Sequence, residues 1–335
     1  MTLPLSILDL APVPDGTSSP EALRNIVSLA RLGDDLGYAR VWYAEHHGMP
    51  SIASSSPEVL IATAAASTRH IHVGSGGVML PNHVPLRVVE TYRTLNGLHP
   101  GRIDLGIGRA GGSDGRTLRA LRSTDGSYFS HELAELLAFE EGTFPDDHPF
   151  APIAVVPEKV SLPPLFLLGS SGASASAAGE LGVGYAFAAH FSPTPPEPAF
   201  AAYRAAFRPS AQFKEPHAIL ALSALVAPTE DEAQFLATSQ AVSWALFMTG
   251  EARKLVSPEA ASAWPLTAQQ QAIIANHRKL WIIGDPQQVK ATMEAQAEAA
   301  GANEVMVTTT MWSHDLRLRS YRLLAEAFGL TPRTS

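Results

Sequence analysis

A chain of 335 residues, 46% hydrophobic and 17% charged, has enough apolar material for a packed core and a length that suits one large domain or two ordinary ones. It contains no Cys, which excludes a disulfide framework, a Cys-ligated zinc site and a thiol nucleophile, so any redox chemistry has to be borrowed from a cofactor. Its formal net charge of −8 excludes broad electrostatic capture of nucleic acid or of an anionic membrane and points to a small-molecule partner.

In chain order, residues 1–19 open on an apolar stretch broken by Pro4, Pro12 and Pro14 with no basic residue ahead of it, a poor secretory signal. The longest apolar run, about Ala218–Ala227, is too short to span a bilayer, and a cytoplasmic protein is expected. Short aliphatic or β-branched runs then alternate with helical patterns along nearly the whole chain. The strand candidates are Leu5–Leu10, Arg40–Ala44, Ile71–Ser75, Ile103–Ile107, Leu165–Leu168, Tyr185–Ala188, Ile219–Val226 and Val305–Thr309. That number closes a (β/α)8 TIM barrel, preferred over an open doubly wound sheet because Pro12, Pro14 and Asp15, not a Gly-rich loop, follow the first strand.

Helix starts are legible at Ser19-Pro20-Glu21, Ser56-Pro57-Glu58 and Asp285-Pro286, each read as a polar N-cap with Pro at the first helical position, and Gly37 stops the first helix. Irregular, Pro-rich text between Glu141 and Pro164 reads as an insertion after the fourth strand. Mostly helical text between about Gly250 and His277 reads as another after the seventh. Neither holds enough strands to form a domain, so residues 1–335 are expected to be one barrel domain.

The chemistry-bearing residues follow successive strands, which in such a barrel is the face where active sites assemble. After the second strand come Glu45, His46 and His47, a carboxylate and two imidazoles suited to proton handling. Side chains alternate along a strand, so His46 and His47 are expected to serve different surroundings. After the third strand stand Gly76 and Gly77, which either let a flat ligand approach the backbone or relieve a close strand contact. The fourth ends in Gly106, Gly108 and Gly111, formally the dinucleotide pattern GxGxxG, but at the wrong strand and with Arg109 inside the turn. Arg109 is better read as a cation for a phosphate or an anionic ring. The fifth leads through Ser170, Ser171 and Gly172 into an Ala-rich helix, which combines free N–H groups, hydroxyls and a positive dipole end in a phosphate cradle. His70 and His72 lie at the start of the third strand, away from these groups, and read as structural; no metal site is expected.

Together these segments, from Leu8–Val13 through Ala44–Pro50, Val73–Pro85, Leu98–Gly111 and Leu168–Ala175 to Glu304–Met311, resemble the bacterial luciferase-like flavin monooxygenases, in particular their single-chain, uncharacterised branch. The resemblance implies a (β/α)8 barrel binding reduced FMN (FMNH2) at its C-terminal face, with O2 as co-substrate. It also implies a small organic substrate, a separate NAD(P)H:flavin reductase and a homodimer. It makes His46 the catalytic histidine near the isoalloxazine and Glu45, Gly76, Gly77, Arg109, Ser170, Ser171 and Gly172 cofactor-binding residues, with a cis peptide at Gly76-Gly77. Luciferase itself has a Cys where this chain has Gly108, so light emission does not carry over. Relatives that use the deazaflavin F420 for hydride transfer make that cofactor the alternative. A non-catalytic flavin-binding protein is the third reading, opposed by the presence of both Glu45 and His46.

Overall fold

In a computed structural model, which describes residues 3–124 and 126–332, eight parallel strands carry the fold. They are β1 (Leu5–Asp9), β2 (Arg40–Tyr43), β3 (His72–Ser75), β4 (Ile103–Gly108), β5 (Leu165–Gly169), β6 (Gly184–Ala188), β7 (Ala218–Val226) and β8 (Glu304–Thr308). Each pairs in parallel with the next, and β8 pairs with both β7 and β1, so the sheet closes on itself and the open-sheet alternative is excluded. Helices between the strands cover the outer face. With both faces covered, the strands read as near-continuous apolar runs; all nine residues of β7 are buried.

Two short strands were not foreseen. Val78–Met79 runs beside the end of β4, and Trp281–Gly284 pairs with Ser223–Val226, the end of β7, of which only Ser223 also pairs with β8. Two and four residues carry too little periodicity to stand out from their loops.

Inside the barrel, Leu8, Trp42, Ala44, Phe166, Ala186, Ile219, Ala221 and Met306 form one apolar cluster, with Trp42 and Phe166 edge to face at 5.0 Å. Below it, at the N-terminal end, lies a charged layer. Arg40 reaches Glu304 and Asp104, each at 2.7 Å, the Trp42 indole donates to Asp104, and His72 and His217 flank the two carboxylates. His72 therefore has the structural place expected of it. With this end closed by side chains, a ligand has only the C-terminal mouth to enter.

The first helix (Ser19–Leu36) is capped by Ser18, whose hydroxyl accepts the Glu21 N–H, one residue before the expected cap. Ser56 occupies its N-cap position without a side-chain bond, whereas Asp285 forms a reciprocal capping box with Gln288. Gly37 ends the first helix in the left-handed region at φ +88°. The second insertion contains the helices Pro258–Ser262 and Ala268–His277. Its Leu255 exchanges backbone bonds with Val13 and Asp15, which ties it over the C-terminal end of β1. Among the described residues no helix is long and apolar enough to cross a membrane.

Candidate active site

The chain leaves β2 at Tyr43, so Glu45, His46 and His47 lie on irregular backbone beyond the strand. Strand alternation therefore does not govern them, a correction to the expectation above. The two imidazoles are nonetheless separated, by their partners. Glu45 is fully buried, and its carboxylate accepts from His47 Nε2 (3.0 Å), Asn82 Nδ2 (3.0 Å), the Met79 N–H (2.9 Å) and His83 Nε2 (2.9 Å). Burial opposes its charge, but the bonds from His83, Asn82 and His47 outweigh this and hold the carboxyl below its ordinary range. For His83 burial again works against the charged form, and Glu45 overcomes it, raising the imidazole above its ordinary value. Both carboxylate oxygens are thus engaged by the protein itself, so Glu45 stands behind the mouth and locks the segment after β2 to the segment after β3.

His46 goes elsewhere. Its Nδ1 lies 3.3 Å from the Gly112 carbonyl, which can only accept, so Nδ1 carries the proton and Nε2 keeps its lone pair. Burial pushes the ring below its ordinary pKa, further than the Gly112 bond and the Glu45 charge raise it. At neutral pH it is a neutral imidazole with Nε2 as an acceptor.

The Gly76-Gly77 peptide is cis. A Cβ on Gly77 would stand 2.7 Å from the Gly106 carbonyl oxygen, and one on Gly76 would stand 2.8 Å from Leu8 Cδ1 and 3.1 Å from Trp42 Cβ. Close strand packing thus requires glycine at Gly77, where the obstacle is backbone, whereas at Gly76 side chains crowd the position and the residue stays half-exposed. Gly106 and Gly108 lie inside β4 itself, where a Cβ on Gly106 would collide with the Ser75 carbonyl. Their GxGxxG spacing reflects sheet packing and forms no dinucleotide turn.

Arg109 is the first residue past β4, exposed, and among the described residues no carboxylate pairs with it. Ile107 pairs with Leu167, so two residues on Arg109 leaves the sheet beside Gly169. There Ser170 and Ser171 lead into the helix Gly172–Leu181, with Ser171 at the N-cap position but its hydroxyl making no cap bond. The Ser171 carbonyl is held by Ser174 and by Tyr185. This anchors the loop and leaves the first-turn N–H groups and the Ser170 and Ser171 hydroxyls without protein partners among the described residues. No acidic residue stands in that first turn, and nothing lies within 4 Å of where a Gly172 side chain would begin. The result is an open anion cradle next to the end of the strand that Arg109 follows, and it fits a phosphate-bearing ligand.

One residue that the sequence reading passed over belongs to the same rim. His190 follows β6, with its ring edge-on to Phe191 and its Nδ1 buried without a close hydrogen-bond partner among the described residues, while the Ala221 carbonyl acts on the ring. Burial, reinforced by His46, pushes its pKa down to about 4. The signal was available, since an imidazole just past a barrel strand is the pattern that singled out His46.

Comparison with known proteins bears on the family and the fold. Residues 3–304 match the family model described as luciferase-like monooxygenase. The chain is 40% identical over 325 residues, 96% of each chain, to a luciferase-like monooxygenase of Escherichia coli K12. It is similar to the crystal structure of apo-MsnO8, with 38% identity, a TM-score of 0.89 and 99% of both chains covered. At 18% identity, a likeness of fold alone, it also superposes with a TM-score of 0.69 on the oxygenating constituent of 3,6-diketocamphane monooxygenase from Pseudomonas putida in complex with FMN, covering 99% of this chain and 100% of that one.

Proposed function

The chain belongs to the luciferase-like monooxygenase family, and from that premise we propose that it oxygenates a small organic substrate at the barrel mouth, using reduced FMN and O2. The observation that carries this reading is the open cradle at Ser170, Ser171 and Gly172 beside Arg109, which no carboxylate pairs among the described residues. When bound, reduced FMN supplies the two electrons with which O2 is cleaved, one oxygen atom entering the substrate and the other leaving as water.

The chain's own residues then have distinct tasks. The two serine hydroxyls and the first-turn N–H groups bind the phosphate, and the helix dipole adds to their field. Arg109 faces the anionic ligand with a planar fork, which Lys replaces only in part. The half-exposed backbone at Gly76 borders the ring, with Gly77 packed behind it. His46, with Nε2 free, moves a proton at the reacting ligand. Glu45 acts as a positioning residue, fixing His47, His83 and the Met79 backbone rather than touching the cofactor. Reduced FMN comes from a separate NAD(P)H:flavin reductase.

The cradle is tested by the double variant Ser170→Ala/Ser171→Ala, titrated with FMN, riboflavin and F420. Bonds to a charged phosphate contribute ~1.5–3 kcal/mol each, so FMN affinity should fall at least about tenfold while riboflavin affinity barely changes. Equal losses for FMN and riboflavin would remove the phosphate from this loop. Tighter binding of F420 than of FMN by the wild type would replace the cofactor assigned here.

A further inference from the structure

Neighbouring residues fix which side chains face inward at the ends of β7 and β8. In β7, Ile219 and Ala221 belong to the apolar interior cluster and Leu220, Leu222 and Ala224 to the outer core, so alternation turns Ser223 inward, one step nearer the mouth. In β8, Glu304 reaches Arg40 in the charged layer and Met306 joins the interior cluster, so Thr308 faces inward in its turn. Ser223 and Thr308 are register partners across the two strands, side by side and one inward step above Ala221 and Met306. A third polar group reaches them from a helix. Glu230–Met248 sets Ala233, Leu236 and Ala237 against Leu225, the next residue on that face of β7. One turn further along the same side of the helix, Gln240 Nε2 donates to Ser223 Oγ at 3.1 Å.

This notch is polar where its surroundings are small or aliphatic, Ala44, Ala186, Ala221, Leu10 and Leu168 among them. Its hydrogen bonding is incomplete. Among the described residues the Ser223 hydroxyl accepts from Gln240 but meets no acceptor for its own proton. Thr308 Oγ1 and Gln240 Oε1 have no protein partner among those residues either, and both keep accessible surface. A few polar groups on an otherwise apolar wall are what orients a small ligand. The groups assigned to the flavin follow β2, β3, β4 and β5, so β7 and β8 stand in the arc of the ring that it leaves free. We propose that Gln240, anchored by Ser223 and joined by Thr308, is a specificity-determining residue that orients the substrate by an uncharged hydroxyl or carbonyl group on an otherwise apolar body. The two hydroxyls donate to the substrate oxygen, and Gln240 Oε1 accepts the proton of a substrate hydroxyl. A carboxylate or an ammonium group would lose its hydration there without meeting an opposite charge, since no charged side chain bonds to any of the three. That the oriented molecule lies beside a flavin rests on the reading above; recognition of a neutral polar group at the notch does not.

Cyclohexanol, cyclohexanone, methylcyclohexane, cyclohexylamine and cyclohexane carboxylate share one apolar ring and differ in the group that the notch would read. Each is titrated into FMN-loaded protein, followed by the flavin absorbance spectrum, and into ligand-free protein, followed by the 15N resonance of the Gln240 side-chain amide. In the wild type the alcohol and the ketone should bind about two- to tenfold more tightly than methylcyclohexane, as expected for one hydrogen bond, and should shift the Gln240 amide. The carboxylate and the amine should gain nothing over methylcyclohexane. Gln240→Leu and Thr308→Val should each reduce the preference for the alcohol while FMN affinity stays at the wild-type level. Gln240→Glu, which puts a carboxylate in the notch, should turn the preference toward cyclohexylamine. A preference that survives both Gln240 variants, a Gln240 amide that none of the probes moves, or an equal weakening of FMN and the alcohol would overturn the assignment. Failure of FMN to bind the wild type would instead count against the flavin reading, with the ligand-free titrations still deciding the notch.

Discussion

Glu45 is the residue on which the geometry of the mouth turns, because it accepts three hydrogen bonds from the segment after β3 and a fourth from His47 in its own segment. Its charge also makes that junction pH-dependent. A carboxyl held below its ordinary value stabilises the fold above its unfolded pKa of 4.5 and loses that contribution as pH falls through the folded value. The His83 ring, raised above 6.5, contributes fully below 6.5 and loses its part as pH rises through the folded value. The pair is therefore most stabilising between those limits. Glu45→Gln should cost about 1–3 kcal/mol near pH 5.5 and less near pH 8.5, measured as urea unfolding midpoints. An equal loss at both values would show that the ion pair contributes nothing beyond the neutral hydrogen bonds. At this scale the sequence revealed residue types and little of their geometry. Glu45 and His46 stood out as a chemical group, but the partners of Glu45 lie at positions 79, 82 and 83, after a different strand, and no local pattern joins them.

Elements were far more legible. All eight barrel strands were expected within a residue or so of their observed bounds, because strands buried on both faces leave short aliphatic runs between helix caps. Capping chemistry located the helices at Asp285 and Gly37 for the same local reason. Local signals failed where an element exists through its neighbour. Trp281–Gly284 is a strand only because β7 runs on past β8, and the loop carrying His46 is shaped by bonds from His46 N to Ser54 O and from His47 N to Gly112 O. The glycines show the opposite failure. Gly106 and Gly108 matched a nucleotide pattern, yet they lie inside β4, where Gly106 lets the β3 backbone approach and Gly108 lies against the end of the Met79 side chain.

On the scale of the whole molecule, the two ends of the barrel divide the work. The C-terminal end carries unpaired groups, whereas the N-terminal end is closed by Arg40, Glu304 and Asp104. Burial opposes ionisation of Glu304, but Arg40 and His217 reverse this and bring its pKa down to about 2. Its contribution is complete above its unfolded value of 4.5 and disappears as pH falls from there to about 2, so acid unfolding should fall in that window. Arg40→Met leaves two buried carboxylates without their guanidinium and with only His72, His217 and neutral donors as partners, and should cost about 3–5 kcal/mol, moving the acid midpoint upward in a circular dichroism titration. An unmoved midpoint would mean that other groups control acid stability.

Closure of one end leaves the mouth as the place where a reduced flavin meets O2, and that meeting can be observed directly. The protein is titrated anaerobically with FMNH2 and, separately, with reduced F420, and each mixture is then exposed to a pulse of O2 while absorbance is followed by rapid mixing. FMNH2 should bind and, once bound, react with O2 at a rate different from that of the free flavin, whereas reduced F420 should neither bind comparably nor respond to O2. Reoxidation of FMNH2 at the free-flavin rate, or saturable binding of reduced F420 in its place, would contradict an FMN-dependent monooxygenase.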